Sequence, residues 1–193
     1  MALTFDQLQQ LMKGEKLNYF IAPDRPVLKF GIKGSFGKYD IIVHIPEEGR
    51  FLQLRTVGYS SCPKDSTHLG AVLQVLATVN YMKRLVKLGW DPADGEIVAY
   101  ADLWVMDNQV TQEQFSRMMG IYLSSVDQAY YRIKAAAETG SDPGDPPDNP
   151  SPKSGPSGEM AAELRDVLDR VRKGGGSSPA PAELPKEEPI KEV

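Results

Sequence analysis

The residues best suited to covalent chemistry are a cysteine and a histidine that lie six positions apart. Cys62 precedes His68, and Asp65 lies between them. A thiol that a neighbouring imidazole deprotonates is a nucleophile, and a loop leading into the first turn of a helix would allow the two side chains to meet. However, no further base, orienting group or oxyanion-stabilising element accompanies the pair. The pattern therefore favours an ordinary loop cysteine and a surface histidine, and we expect no enzymatic activity.

Metal and phosphate sites lack their usual patterns in this chain. Its one cysteine and its two histidines, His44 and His68, are too few for a structural zinc site, which groups such ligands at close spacing. The segment 31–37 contains three glycines, but it matches neither GxGxxG nor the Walker pattern, and it joins a strand to a strand. We therefore expect turn glycines there, and no metal or cofactor.

Charge is distributed unevenly along the 193 residues. Residues 1–137 carry 15 Lys and Arg against 14 Asp and Glu, whereas residues 138–193 carry 7 against 12. This distribution lacks the clustered basic side chains with which proteins bind phosphate backbones. A single cysteine is typical of a reducing compartment, and no apolar segment approaches the roughly 20 residues that span a bilayer. We expect no nucleic-acid binding, no membrane insertion and a cytoplasmic protein.

The elements that would position the candidate residues include two amphipathic helices that open with a capping box. In each, a threonine is followed three residues later by a glutamine, so that each side chain can bond the other's backbone N–H group. Apolar residues then recur at helical spacing. The sequence predicts these helices over residues 4–13 and 111–137.

Between residues 26 and 57 the sequence predicts a three-stranded antiparallel meander. Apolar residues alternate with more polar ones in three runs, which are separated by turn residues at 34–37 and 46–49. Residues 19–21 are a candidate for a short extra strand. Residues 58–64 are predicted to form a loop.

A long helix and a further strand are predicted between the meander and the last helix. The helix runs from Asp65 or Ser66 to Leu88, and nearly its whole circumference is apolar. Such a helix must be covered on more than one side, so a second helix or a second subunit is needed in addition to the sheet. The residues assigned to core or dimer contact are Leu69, Val72, Val75, Leu76, Val79 and Met82. The strand, over residues 96–106, is apolar on both faces.

Asn80 is a polar residue within this apolar helix. A buried amide needs partners for both its donors and its acceptor. We expect the side chain to bond neighbouring backbone, and the alternative is a specificity device or contact point.

The order of these elements over residues 1–137 resembles the YbjN domain family. The resemblance is sharpest at Val79-Asn80-Tyr81, since that family tends to place an asparagine inside an apolar helix. It extends to Asp94-Gly95-Glu96-Ile97 and to Thr111-Gln112-Glu113-Gln114-Phe115. It implies an α+β, type III secretion chaperone-like fold. It also implies a sensory or regulatory role, to which the family has been linked. The related secretion chaperones are dimers that bind extended segments of other proteins, so the resemblance implies a homodimer as well.

The best candidate for a binding surface is the outer row of the predicted sheet. Its aromatic and aliphatic members are Ile42, Phe51, Val98, Tyr100 and Trp104. The charged or polar members are Lys29, Lys33, His44 and Arg55. An apolar patch ringed by charge is typical of protein-binding surfaces. In the alternative, which we favour, the helix at 111–137 covers this row as ordinary core.

The composition changes after the last predicted helix. The sequence predicts a domain over residues 1–138, a flexible linker over 139–158 that is rich in Pro and Gly, and a disordered acidic tail over 174–193. Between linker and tail, residues 159–173 read as a short amphipathic helix that needs something to pack against. Its docking residues are Met160, Leu164, Val167, Leu168 and Val171. The same domain and a partner are equally good candidates for the surface they contact.

Three functions remain in competition at this point. The leading one is a homodimeric, non-enzymatic protein-binding module with a chaperone-like or regulatory role and a protein partner. The second is a structural or assembly subunit that docks through residues 159–173. The third and least favoured is an enzyme that uses Cys62 and His68.

Overall fold

A computed structural model of the chain describes residues 2–23, 25–106 and 109–147. The helices are α1 (Phe5–Gly14), the single turn α2 (Pro46–Gly49), α3 (Leu69–Met82) and α4 (Gln112–Thr139), and the strands are β1 (Phe20–Ile21), β2 (Val27–Lys33), β3 (Lys38–His44), β4 (Phe51–Ser61), β5 (Val86–Trp90) and β6 (Glu96–Trp104). Thr4 and Thr111 cap α1 and α4, and both capping boxes are formed. The two helices opened by these boxes are therefore where the sequence predicts them.

All six strands form one antiparallel sheet in the order β1–β2–β3–β4–β6–β5. The predicted meander corresponds to β2, β3 and β4, and the short candidate strand is β1 at one edge. The predicted α+β class with an antiparallel sheet is confirmed. The sheet is wider than predicted, because β5 adds a further strand beside β6.

One face of the sheet packs against the helices and forms the core. Its buried residues on the four central strands are Leu28, Phe30, Ile32, Tyr39, Ile41, Val43, Leu52, Leu54, Thr56, Tyr59, Ile97, Ala99 and Ala101. Tyr122 of α4 lies against this inner face, where its hydroxyl donates to the Ala99 carbonyl at 2.9 Å and lies 2.6 Å from the Thr56 hydroxyl. Burial raises the pKa of Tyr122 above its ordinary value. The phenol therefore stays neutral and can make both hydrogen bonds.

A buried carboxylate on α4 fixes the turn between β2 and β3. Asp127 accepts hydrogen bonds from the backbone N–H groups of Ser35 at 2.8 Å and Phe36 at 3.0 Å, and from the Tyr39 hydroxyl at 2.6 Å. Burial, and then the neighbouring Asp127 charge, raise the pKa of Tyr39. A Cβ at Gly34 would collide with the Asp127 side chain, so the turn requires glycine at that position.

The predicted helix from Asp65 or Ser66 to Leu88 is too long at both ends, because α3 begins only at Leu69. The structure ends α3 at Met82 and places β5 immediately afterwards. Leu85 has a φ of 75°, so the backbone has left the helical conformation there. Val86 and Leu88 continue the apolar run, but they alternate along a strand and pack into the core.

The Asn80 side chain holds α3 against β5. Its Oδ1 accepts from the Leu88 N–H at 2.8 Å, and its Nδ2 donates to the Leu88 carbonyl at 2.9 Å. Leu88 is paired in register with Ala99 on β6, and its N–H and carbonyl groups bond Asn80 on the open side of this edge strand. The expectation that the Asn80 amide bonds neighbouring backbone is confirmed.

Two strand boundaries also differ from the predictions. β4 continues to Ser61 through an irregularity between Thr56 and Ser60, so residues 58–61 belong to a strand rather than to the predicted loop. Gly58 has a φ of 58° within this irregularity, which interrupts the alternation used to place the strand end. β6 stops at Trp104, two residues short of the predicted boundary.

The chain folds back onto α4 after that helix ends. The buried Arg132 guanidinium donates to both carboxylate oxygens of Asp142, at 3.0 and 2.5 Å, and lies 3.5 Å from Asp145. The hydrogen bond from Arg132 lowers the pKa of Asp142, so the pair stays charged at neutral pH. Residues 140–147, which the sequence assigns to the flexible linker, are therefore held against α4.

The remainder of the predicted linker, the predicted helix at 159–173 and the predicted tail at 174–193 lie outside the described residues. Within the described ranges, no helix is both long enough and apolar enough to cross a membrane.

We expect the Asn80→Ala substitution to lower the free energy of unfolding by about 1–3 kcal/mol, because it removes both hydrogen bonds to Leu88 and leaves two backbone groups without these partners. Chemical denaturation measures this change. Gln74→Ala on the exposed side of α3 is the matched control and should change stability by less than about 0.5 kcal/mol. Equal stability of the two variants would contradict this role of Asn80.

Candidate protein-binding surface

The cysteine and histidine considered for covalent chemistry occupy structural positions. Cys62 is only 1% exposed, and its carbonyl accepts from the Trp90 indole N–H at 2.9 Å. His68 precedes α3, and its Nδ1 lies 2.9 Å from the Ala137 carbonyl in the last turns of α4. The histidine therefore joins two helices. Within the described residues, no group of three His, Cys, Asp or Glu side chains could hold a metal ion.

The outer sheet face is the surface formed by Ile42, Phe51, Val98, Tyr100 and Trp104 together with their charged neighbours. The first four of these residues are half-buried, and Trp104 is 66% exposed. The strand register brings all five to the same side of β3, β4 and β6. The structure thus assembles the predicted row, while its protein-binding role stays a prediction.

A single row of side chains crosses five strands at the centre of this face. Lys29 pairs with Ile42, Ile42 with Arg55, Arg55 with Tyr100, and Tyr100 with Lys87. The Lys87 ammonium lies 5.7 Å from the centre of the Tyr100 ring. Basic and apolar side chains therefore alternate along the row, and Lys87 is a member that the sequence did not reveal, because β5 was predicted as helix.

An aromatic pair occupies one end of the outer sheet face. Phe51 and Trp104 are directly opposite each other on β4 and β6, and their ring centres are 5.4 Å apart. Such rings supply large apolar contact area. Val98, on the same strand as Trp104, is paired with Gly89 at the other end of the face.

A ladder of polar side chains separates the central row from the aromatic pair. His44 Nε2 lies 2.7 Å from Gln53 Oε1, and Gln53 Nε2 donates to Asp102 Oδ1 at 2.6 Å. Asp102 also lies 3.9 Å from the Lys87 ammonium. These contacts fix the orientation of each side chain in advance of any partner.

Six charged groups of this face are paired within the face itself. Besides Lys87 and Asp102, the pairs are Lys29 with Asp40 at 3.4 Å and Arg55 with Glu96 at 4.0 Å. All are partly exposed, and exposed ion pairs contribute little stability. These pairs contribute three positive and three negative groups, and Lys33 and Lys38, opposite each other on β2 and β3, add two positive groups to the same side.

The outer sheet face is not covered by any helix in the part of the chain that the structure describes. α4 lies on the opposite side, where Tyr122 and Asp127 reach Thr56 and Tyr39. The favoured alternative, in which the helix at 111–137 buries the outer row as core, is therefore wrong. That helix has only one sheet face available, and the apolar row of β2, β3, β4 and β6 occupies it.

The residues assigned to the long helix divide between two environments. Val72, Val75, Leu76 and Val79 are buried in the core of the same chain, Leu69 is half-buried, and Met82 is exposed. Four of the six are therefore occupied by intrachain packing and are not available for a dimer contact. α4 is the second helix that the apolar circumference was predicted to require.

The exposed apolar residues of α3 lie on its other side and were not singled out from the sequence. Leu73 is 38% exposed, Tyr81 is 92% exposed, and Ala77 between them is also exposed. Their spacing of four residues is the available signal, because it places them on one face of a helix. That signal was hidden in a helix whose other positions are equally apolar.

Residues 4–135 match the sequence profile of the YbjN family, which is described as "Putative bacterial sensory transduction regulator". The chain belongs to the YbjN family. The resemblance seen in the sequence is therefore confirmed, and it spans the YbjN domain from the capping residue of α1 almost to the end of α4. No curated protein matches the chain.

The YbjN domain is also similar to solved structures. A crystal structure of YbjN from E. coli, described as "a putative transcription regulator", has a TM-score of 0.53 at 16% identity and covers 72% of this chain and 94% of that one. The HopA1–SchA chaperone–effector complex gives a TM-score of 0.44 at 14% identity, over 63% of this chain and 90% of that one. The first likeness supports the fold.

We expect Cys62 of the native YbjN domain to react with a thiol reagent far more slowly than in the unfolded chain, because its side chain is buried. The rate of reaction with DTNB, with and without urea, measures this. His68→Ala should not slow the native reaction. A fast native reaction that this substitution slows would instead support an activated thiol.

Proposed function

We propose that this chain is a non-enzymatic protein-binding module that holds a protein partner against the outer sheet face. The observation that carries the proposal is that this face has three large aromatic side chains, two aliphatic ones and no cover from the described part of the chain. Large aromatic residues dominate the energetics of protein contacts, and an uncovered apolar surface with charged neighbours is typical of interaction sites.

The layout of the face supports a protein partner in particular. Ile42, Tyr100 and Trp104 supply the apolar contact, and the paired charges around them can be satisfied without a partner. A protein partner can contact the apolar residues with apolar side chains of its own, and it can contact the charged groups with mixed polar groups. Because six of the charged groups already pair with one another, we expect recognition to rest mainly on shape and apolar contact, and binding to depend only moderately on salt.

The family description supports a regulatory setting for such binding. The family is described as "Putative bacterial sensory transduction regulator", and a regulator that binds a protein can act by occupying it. Cys62 and His68 serve packing in this chain, which favours this role over the enzyme hypothesis. The protein partner would then be a component whose availability the module controls.

The homodimer predicted from the sequence stays a prediction. Since most of the assigned α3 residues pack within one chain, a second copy that contacts α3 would do so through Leu73, Tyr81 and Met82. Sedimentation at micromolar concentration measures the oligomeric state directly.

The assembly hypothesis places the partner contact on residues 159–173 instead. The two hypotheses differ in which substitutions abolish binding of the partner. Leu164→Asp with Leu168→Asp would remove a partner held by that segment, and would leave a partner held by the outer sheet face.

We expect the triple substitution Phe51→Ser, Tyr100→Ser and Trp104→Ser to reduce partner enrichment at least about tenfold, because it removes the aromatic contacts. Affinity capture of the full-length chain from native extract, quantified by mass spectrometry, measures the enrichment. The matched control replaces the exposed Leu73, Tyr81 and Met82 of α3 by serine, and it should keep the same partners. Circular dichroism verifies that both variants fold. Unchanged enrichment in the folded triple variant would refute the proposed surface.

A further inference from the structure

A second uncovered apolar surface lies on α3, away from the outer sheet face. The α3 stripe is defined by Leu73, Ala77 and Tyr81, with Met82 at its end. α3 contains no charged residue, and the polar side chains of Gln74 and Asn80 flank the stripe rather than interrupt it. The stripe is therefore a candidate for an apolar cover, which the described residues do not supply.

The structure shows where the chain departs towards its C-terminal segment. Arg132 binds Asp142 and Asp145. Residues 142–145 are therefore held against the C-terminal half of α4. The described structure ends two residues later, at 147. The chain that leads into the C-terminal segment after residue 147 is thus held at Arg132.

Arg132 lies on the side of α4 that faces α3. The Lys83 ammonium, just after α3, donates to Gln128 Oε1 at 2.7 Å, and His68, just before α3, contacts the Ala137 carbonyl. α3 therefore runs antiparallel along residues 128–137 of α4. Arg132 is four residues from Gln128 and lies on the same face of α4. Along the axis of α4, it therefore lies between the two ends of α3.

The connecting segment is long enough to reach the α3 stripe. Residues 148–158 separate the described structure from the predicted helix at 159–173, and a random-coil chain of this length spans about 17–20 Å on average. Packed helices have axes only about 8–10 Å apart. The predicted helix can therefore lie along α3 without stretching its connection.

The C-terminal segment has the length and chemistry that the stripe needs. It comprises 15 residues, and α3 comprises 14. Its apolar positions recur at helical spacing and make one stripe; they are Met160, Leu164, Val167, Leu168 and Val171. Its charged residues lie on the other faces, where they would meet water.

We propose that residues 159–173 form a helix that packs along the α3 stripe of the same chain. The tether gives the segment an effective concentration of about millimolar at the stripe, so a contact that would be weak between separate molecules is formed within one. This contact covers α3 without a second copy. It concerns a different surface from the proposed partner-binding face and does not rest on that function.

Paired cysteines in the full-length chain test the proposal. Ala77→Cys on the stripe is combined with Leu168→Cys, and the natural Cys62 is buried. Mild oxidation should form an intrachain disulfide, identified by mass spectrometry of the monomer band. Because the register along α3 is open, Leu164→Cys and Val171→Cys are tested in parallel. Failure of all three pairs, with position 77 freely alkylated, would overturn the proposal.

The matched control is Ala77→Cys with Asp169→Cys, which moves the second cysteine to the opposite face of the predicted helix. It should form the intrachain disulfide much more slowly than the pair with Leu168→Cys. Equal rates would indicate random collision of a tether and would overturn the proposal. Predominance of an interchain disulfide between two copies of position 77 would assign the stripe to a dimer, and would overturn it as well.

Hydrogen exchange provides a measurement that does not depend on added cysteines. Amides of residues 159–173 should exchange more slowly in the natural chain than in a Leu73→Asp, Tyr81→Asp variant. Val57→Asp, on the far side of the sheet, is the control and should leave this protection intact. Identical exchange in the natural chain and the α3 variant would contradict docking on the stripe.

Discussion

One-sided burial of the antiparallel sheet is the constraint on which the other features of the molecule depend. β2, β3 and β4 are joined by hairpin turns, and α4 returns across their inner face, where Tyr122 and Asp127 bond β4, β6 and the hairpin turn. Alternation along each strand then sends every second side chain away from the core. The side chains of the outer sheet face therefore do not pack against the helices, and they are available for contact with another protein.

The same constraint explains why Asn80 matters beyond its two hydrogen bonds. β5 is an edge strand, and an edge strand exposes backbone groups that invite pairing with another chain. At Leu88, the Asn80 side chain forms hydrogen bonds with the outward N–H and carbonyl groups. The β5 edge is therefore blocked at its centre against pairing with a strand of another chain.

Where the hydrophobic period was unambiguous, the sequence was sufficient to predict the element. The period of two in β2 and β3 and the capping boxes of α1 and α4 gave the correct structure, and short turns then fixed the register that unites Ile42, Tyr100 and Trp104. The end of the run from Leu69 to Leu88 was ambiguous, because a short apolar stretch such as residues 85–88 is compatible with both helix and strand. Only the fold brings Asn80 to Leu88, and only packing separates the buried Val75 from the exposed Ala77.

The two uncovered surfaces differ in the kind of contact that suits them. The outer sheet face mixes aromatic residues with paired charges such as Arg55 and Glu96, so it can remain in water between binding events, as a reversible contact requires. The α3 stripe has no charge of its own, and its most exposed side chain is Tyr81. Such a surface is better matched to a constant cover, which a segment of the same chain supplies at every protein concentration, whereas a second copy supplies it only above its dissociation constant.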